Sequence, residues 1–179
     1  MYRPDDELEK DLLRQGDIVS SVHILGALNL RAIQYQYVGL EASEPVGWSV
    51  PAKPTLGPAM VISHSCELDP ANDVKITSII LAPLRDLSSA TPAEKTAELI
   101  ASNLIDSSHP TASYLKYFYL EPHAVLQFTA GCVADFSKCF SVRHQSYQQL
   151  LNGKVLQLRD DIADSMALKL ALYFCRERD

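Results

Sequence analysis

The stretch His64-Ser65-Cys66-Glu67-Leu68-Asp69 places a thiol, an imidazole and two carboxylates within six consecutive residues. No other part of the chain gathers as many groups able to donate, accept or attack. In extended backbone, residues two apart point to the same side, so His64 and Cys66 can approach each other. An imidazole beside a thiol offers a base for its proton, and the resulting thiolate is a strong nucleophile. The competing expectation is a small buried Cys66, with His64 and Asp69 bonding the loop backbone. Glu67, Asp69 and Asp73 with His64 also have the donor types of a divalent-metal site. An Asp beside Pro70 is ordinary turn chemistry, so neither a metal nor a cofactor is expected.

Other candidates are more dispersed. His123, after Glu121-Pro122, has the type of a general base, against a structural role at a strand end. Tyr114, Tyr117, Phe118 and Tyr119 can stack nucleobases, but alternation along a strand sends about half of them into a core. Cys132, Cys139 and Cys175 read as core fillers, since their spacing fits neither a CxxC pair nor a zinc ribbon. The tail Arg176-Glu177-Arg178 reads as a solvated helix end.

The elements that must hold the His64–Asp69 loop are two apolar runs. Met60-Val61-Ile62 precedes it and Ile76 to Leu81 follows it, and both read as buried strands. Upstream, Asp5 to Arg14 has Leu8, Leu12 and Leu13 at helical spacing, and Gly16-Asp17 turns into a strand running to Ile24. Ala32 to Val38 alternates as an added strand. Glu44 to Pro58 is rich in Pro and Gly and reads as a loop pinned by Trp48, the single tryptophan. Pro83 is expected to stop or edge the second central strand.

Downstream, Thr91 to Leu104 predicts a helix with Thr91 as cap and Pro92 in the first turn. Its stripe is Ala97, Ile100, Ala101 and Leu104. Tyr114–Leu120, Ala124–Phe128, Cys132–Phe136 and Phe140–Val142 predict strands, and Ser146–Leu151 a turn or short helix. Leu158 to Phe174 predicts a closing helix with Ile162, Met166, Leu170 and Phe174 on one face. Asp160 and Asp161 suit the positive end of that helix. Six or seven short strands joined mostly by turns point to a β-rich α+β chain, a small antiparallel barrel with one inserted and one C-terminal helix.

The chain has 179 residues, 47% of them hydrophobic and 21% charged, which fits one globular domain over residues 1–179. The net charge of −6 argues against a broad electrostatic nucleic-acid binder, though not against a local cleft. The N-terminus lacks the apolar stretch of an export signal, and no apolar run is long enough to span a bilayer. A cytoplasmic, non-membrane protein with reduced thiols is therefore expected.

Three segments carry a family resemblance: Gln15-Gly16-Asp17-Ile18-Val19, Pro58-Ala59-Met60-Val61-Ile62-Ser63 and Thr77-Ser78-Ile79-Ile80-Leu81-Ala82-Pro83. In this order, over about residues 14–87, they resemble the MazF/PemK family of toxin-type proteins. The resemblance implies an SH3-like barrel, RNA as substrate, an antitoxin or regulatory partner and a homodimer. It puts Thr77 or Ser78 at the family's strand-start hydroxyl. The sequence departs from the family at Gly57, where an arginine normally precedes the proline and stabilises charge during phosphodiester cleavage. Lys53, Arg31 and Arg85 are the cations available to replace it.

Three functions follow as expectations. One is a MazF/PemK-like endoribonuclease of a toxin–antitoxin or phage-defence system. Another is a non-catalytic barrel binding a protein or nucleic acid. The third is a Cys/His-dependent enzyme. His64, Cys66 and Thr77 are the expected catalytic residues, with Ser63, Glu67, Asp69 and Ser78 around them.

Overall fold

A computed structural model describes residues 1–25, 54–69, 71, 78–87, 91–104 and 114–175. The expected strand at Ala32 to Val38, Trp48, and the site candidates Thr77 and Asp73 lie outside the described residues.

Seven strands form the sheet: β1 (Ile18–Leu25), β2 (Pro54–Val61), β3 (Ser78–Asp86), β4 (Tyr117–Leu120), β5 (Cys132–Asp135), β6 (Phe140–Arg143) and β7 (Lys154–Leu156). Four helices accompany them: α1 (Ser65–Leu68), α2 (Ala93–Ala101), α3 (Tyr147–Asn152) and α4 (Asp160–Cys175). The strand order is β4-β5-β3-β2-β1-β7, with β6 also paired to β3. Every pairing is antiparallel, so the chain is a β-rich α+β fold with a C-terminal helix, and its sheet is not closed.

The central strands read as continuous apolar runs because both of their faces are covered. Val19, Val22, Ala59, Val61, Ile79 and Leu81 face a core completed by Leu13, Leu68 and Leu150. Ile18, Met60, Ala82 and Leu84 face the opposite core, with Phe118, Phe136, Met166 and Leu170. Each wholly buried aliphatic side chain contributes about 1.5–3 kcal/mol.

Two prolines sit where the ladder tolerates a missing N–H. Pro58 lies in β2, not in the expected loop, and faces a bulge in β1 between Val19 and Val22. Ser21 takes φ 56° within that bulge. Pro83 does not end β3. The strand hands over from β6, paired with Ser78 to Leu81, to β5, paired with Leu84 to Asp86, and Pro83 falls in the gap.

Several expectations are corrected. Asp5 to Arg14 forms only a single turn at Asp5–Glu7, because the segment is tied down as it lies: Glu9 N–H donates to Gln157 Oε1, and Tyr2 bridges to Leu158. Ala124–Leu126 is a 3₁₀ turn rather than a strand, closed by Gln127 at φ 58°. Lys154–Leu156 is a strand too short to show period-2 alternation. The buried face of α2 is also turned from the expected stripe: Leu99 is buried, while Ile100 and Leu104 are exposed. Asn103 decides this, since its side-chain amide both donates to Tyr119 O at 2.7 Å and accepts from Tyr119 N–H at 2.9 Å. In α4, Met166 and Leu170 are buried as expected, but Phe174 and Cys175 are exposed.

Two buried lysines have different settings. Lys154 Nζ lies 2.7 Å from Asp17 Oδ2 and donates to Leu12 O at 3.0 Å. Arg14 N–H also donates to Asp17 Oδ2, at 2.7 Å, while Asp17 Oδ1 has no hydrogen-bond partner. Burial pushes Asp17 up to about 6, against the pull of the ammonium. Lys169 has no carboxylate at all among the described residues. Its Nζ donates to both the carbonyl and the hydroxyl of Ser102, each at 2.8 Å, closing the C-terminal end of α2. Burial alone lowers Lys169 from its ordinary 10.5 to about 7.

Lys154→Met strands a buried carboxylate and is expected to cost about 3–5 kcal/mol in denaturant unfolding, more than the same change made together with Asp17→Asn. For Lys169 the unfolded chain keeps its proton up to about pH 10.5 and the folded chain only to about 7. Unfolding between those values takes up a proton, so stability rises with pH there, by up to about 1.4 kcal/mol per unit. The checking measurement is urea midpoints at pH 7, 7.5 and 8, below the range where the thiols of the unfolded chain ionise, and there Lys169→Met should abolish the rise.

Candidate active site

The end of β2 and the start of β3 are joined by backbone and by one hydroxyl. Ile62 N–H donates to Ile80 O at 3.0 Å, and Ile80 N–H donates to Ser63 Oγ at 2.9 Å. Ser63 is buried, and its hydroxyl serves as the last rung of the β2–β3 ladder. The N-terminal segment holds the same loop from the other side. Gly16 N–H donates to Val61 O, Gln15 N–H to Ser65 Oγ, and Gln15 Nε2 to Ile62 O. Gly16 is required here: its φ is +91°, and an added Cβ would lie 3.2 Å from Leu158 Cδ1.

With Ser63 and Ser65 fixed, the chain turns at once into α1 instead of the expected open loop. Leu68 is buried and anchors this turn in the core. His64 is its N-cap, and its ring Nδ1 accepts from the Cys66 N–H at 3.3 Å. The same Nδ1 lies 2.8 Å from Cys66 Sγ. A backbone N–H only donates, so Nδ1 presents a lone pair, and the ring proton belongs on Nε2. A thiol proton on Sγ then points at an acceptor, which is the arrangement for proton transfer from sulfur to imidazole. Both side chains are exposed.

The other expected residues fall around this pair. Glu67 is exposed. Asp69 is engaged locally, its Oδ1 accepting from Ala71 N–H at 2.9 Å. Ser78 begins β3, half-buried, with Arg143 of β6 as its cross-strand partner. Among the described residues no three His, Cys, Asp or Glu side chains converge as metal ligands. Beside His64, on a side that Cys66 does not line, runs a cleft of about 270 Å³ whose walls include Arg14, Gln15, Ser65, Asp160 and Asp164.

The remaining candidates are structural. His123 accepts from Val125 N–H and meets the Tyr2 ring edge-on at 5.1 Å. Phe118 and Tyr119 are buried, and Tyr114 binds Glu98. Arg85, a cation considered as a stand-in at Gly57, is instead paired with Asp135 at 3.0 Å. At Gly57 itself, Ile24 Cδ1 sits 3.1 Å from where a Cβ would begin. Burial pushes the Cys132 thiol up to about 12 and the Cys139 thiol up to about 11, which keeps both protonated and unreactive near neutral pH. Arg143 and the clamp residue Gln15 escape a sequence reading focused on the loop. For Arg143, the signal was the alternation of Ser141, Val142 and Arg143 along a strand.

No known family model matches the sequence, and no curated protein is significantly similar to it.

Ser63→Ala leaves the Ile80 N–H without its acceptor and is expected to cost about 1–3 kcal/mol. Amide exchange should locate that loss: the Ile80 amide should become less protected, while the β4–β5 ladder keeps its protection.

Proposed function

We propose that the chain is a Cys/His-dependent enzyme in which Cys66 is the nucleophile and His64 its general base. The observation that carries this reading is the 2.8 Å approach of His64 Nδ1 to Cys66 Sγ, with both groups open to solvent. The thiol proton passes to Nδ1, sulfur attacks an electrophilic centre of the substrate, and the imidazolium returns the proton to the leaving group. The cleft beside His64 gives a substrate room to lie.

The architecture we propose for this site is an SH3-like barrel of the MazF/PemK type. Its support is the run β7-β1-β2-β3-β6, whose outer strands are joined by only residues 144–153. That short link carries α3, and Leu150 of α3 packs with Val19, Val61 and Leu81, as expected of a sheet curled around it. This architecture also supports a second reading, the endoribonuclease, with Ser78 at the start of β3 supplying the hydroxyl.

Iodoacetamide at neutral pH is expected to alkylate Cys66 ahead of Cys175, the other exposed thiol, leaving Cys132 and Cys139 unmodified. His64→Ala should slow Cys66 by about tenfold and leave Cys175 unchanged. Equal rates at the two exposed thiols, read by peptide mass spectrometry, would sink the nucleophile reading. Cleavage of mixed RNA that survives Cys66→Ser but is lost in Ser78→Ala would favour the ribonuclease instead.

A further inference from the structure

The start of β3 carries the thiol–imidazole loop on one flank and a cation on the other. Ile80 spends both of its backbone groups on the β2 side, on Ser63 and Ile62. Its cross-strand partner in β6 is Ser141, and two residues back Ser78 faces Arg143. Residues two apart on a strand share a face, so Ser78, Ile80, Ser141 and Arg143 line one surface of the β3–β6 pair. Directly opposed side chains begin about 5 Å apart, and each step of two residues adds about 7 Å. His64 follows Ser63 immediately. Arg143 stands on the other flank of β3 from that loop, on a surface carrying hydroxyls and one half-exposed isoleucine.

Charge makes Arg143 distinctive. Of the five arginines among the described residues, Arg3, Arg14, Arg85 and Arg159 each pair with a carboxylate. Arg143 has no ion pair among the described residues, although the chain carries a net charge of −6. An exposed guanidinium flanked by Ser78 and Ser141 offers a fork of donors with hydroxyls beside it, which suits an oxyanion.

We propose that Arg143, with Ser78 and Ser141, anchors an oxyanion, phosphate or carboxylate, of the substrate on which Cys66 acts. This rests on the Cys66–His64 reading, and it makes Arg143 a positioning residue, not a member of the proton-transfer pair.

The test compares two alkylating agents of the same reactivity type, anionic iodoacetate and neutral iodoacetamide, at Cys66 in the full chain at low salt. Arg143→Ala is expected to lower the iodoacetate-to-iodoacetamide rate ratio by about two- to fourfold, and 0.5 M salt should remove the difference. Arg85→Ala, which removes an arginine already neutralised by Asp135, should leave the ratio unchanged. Arg143→Lys should restore it in part, and circular dichroism confirms that each variant is folded. Inorganic phosphate competing better than acetate with iodoacetate in the wild type assigns a phosphate; the reverse order assigns a carboxylate. A ratio that Arg143→Ala does not move, or no competition by either anion, overturns the proposal. The absolute iodoacetamide rate at Cys66 against Cys175 reports separately on the nucleophile itself, so a failure of that reading is distinguished from a failure of the Arg143 anchor.

Discussion

The buried pair of Asp17 and Lys154 fixes where the rest of the molecule goes. Two charges taken out of water hold each other only if their remaining valences are met. Lys154 therefore reaches Leu12 O as well as the carboxylate, and Arg14 N–H turns back onto the same carboxylate oxygen. These contacts bind β7 and the N-terminal segment to the head of β1. The segment they immobilise contains Gln15 and Gly16, which clamp the end of β2. A salt bridge in the interior thus sets the placement of a loop at the surface.

The loop in turn owes its geometry to small groups used as mortar. Ser63 and Ser65 accept backbone N–H groups from two different directions. Between them only His64 is left to project, and the turn of α1 brings Cys66 back under its ring. The thiol–imidazole contact is a by-product of capping: the nitrogen that accepts the Cys66 N–H is the one that meets the sulfur. Preorganisation of this kind costs little, because the residues involved are three neighbours in sequence.

Much of the strand framework was legible in the sequence because it rests on local pattern. Met60 to Ile62 and Ile76 to Leu81 announce themselves as apolar runs, and the helical stripe of α4 is visible in Met166 and Leu170. What escaped is what depends on distant partners. Tertiary ties override the helical spacing of Leu8, Leu12 and Leu13. A single amide, Asn103, rotates α2. Pro58 and Pro83 read as breakers because nothing local reveals a bulge opposite one and a change of partner beside the other. At the site, the approach of His64 to Cys66 was legible from their spacing, since it is local. The pairing of Ser78 with Arg143 was not, because register between strands sixty residues apart leaves no trace in either one alone.

The strands at the sheet's margins are short: β4 and β6 have four residues each and β7 three. At these strands a neighbouring chain that tried to extend the sheet would find few unpaired backbone groups to hold on to. The longer open edge among the described residues is that of β1, which runs over eight residues and pairs with β7 only at Ile18 and Val19. Strand-to-strand pairing with another chain is therefore concentrated on one side of the sheet rather than spread over both.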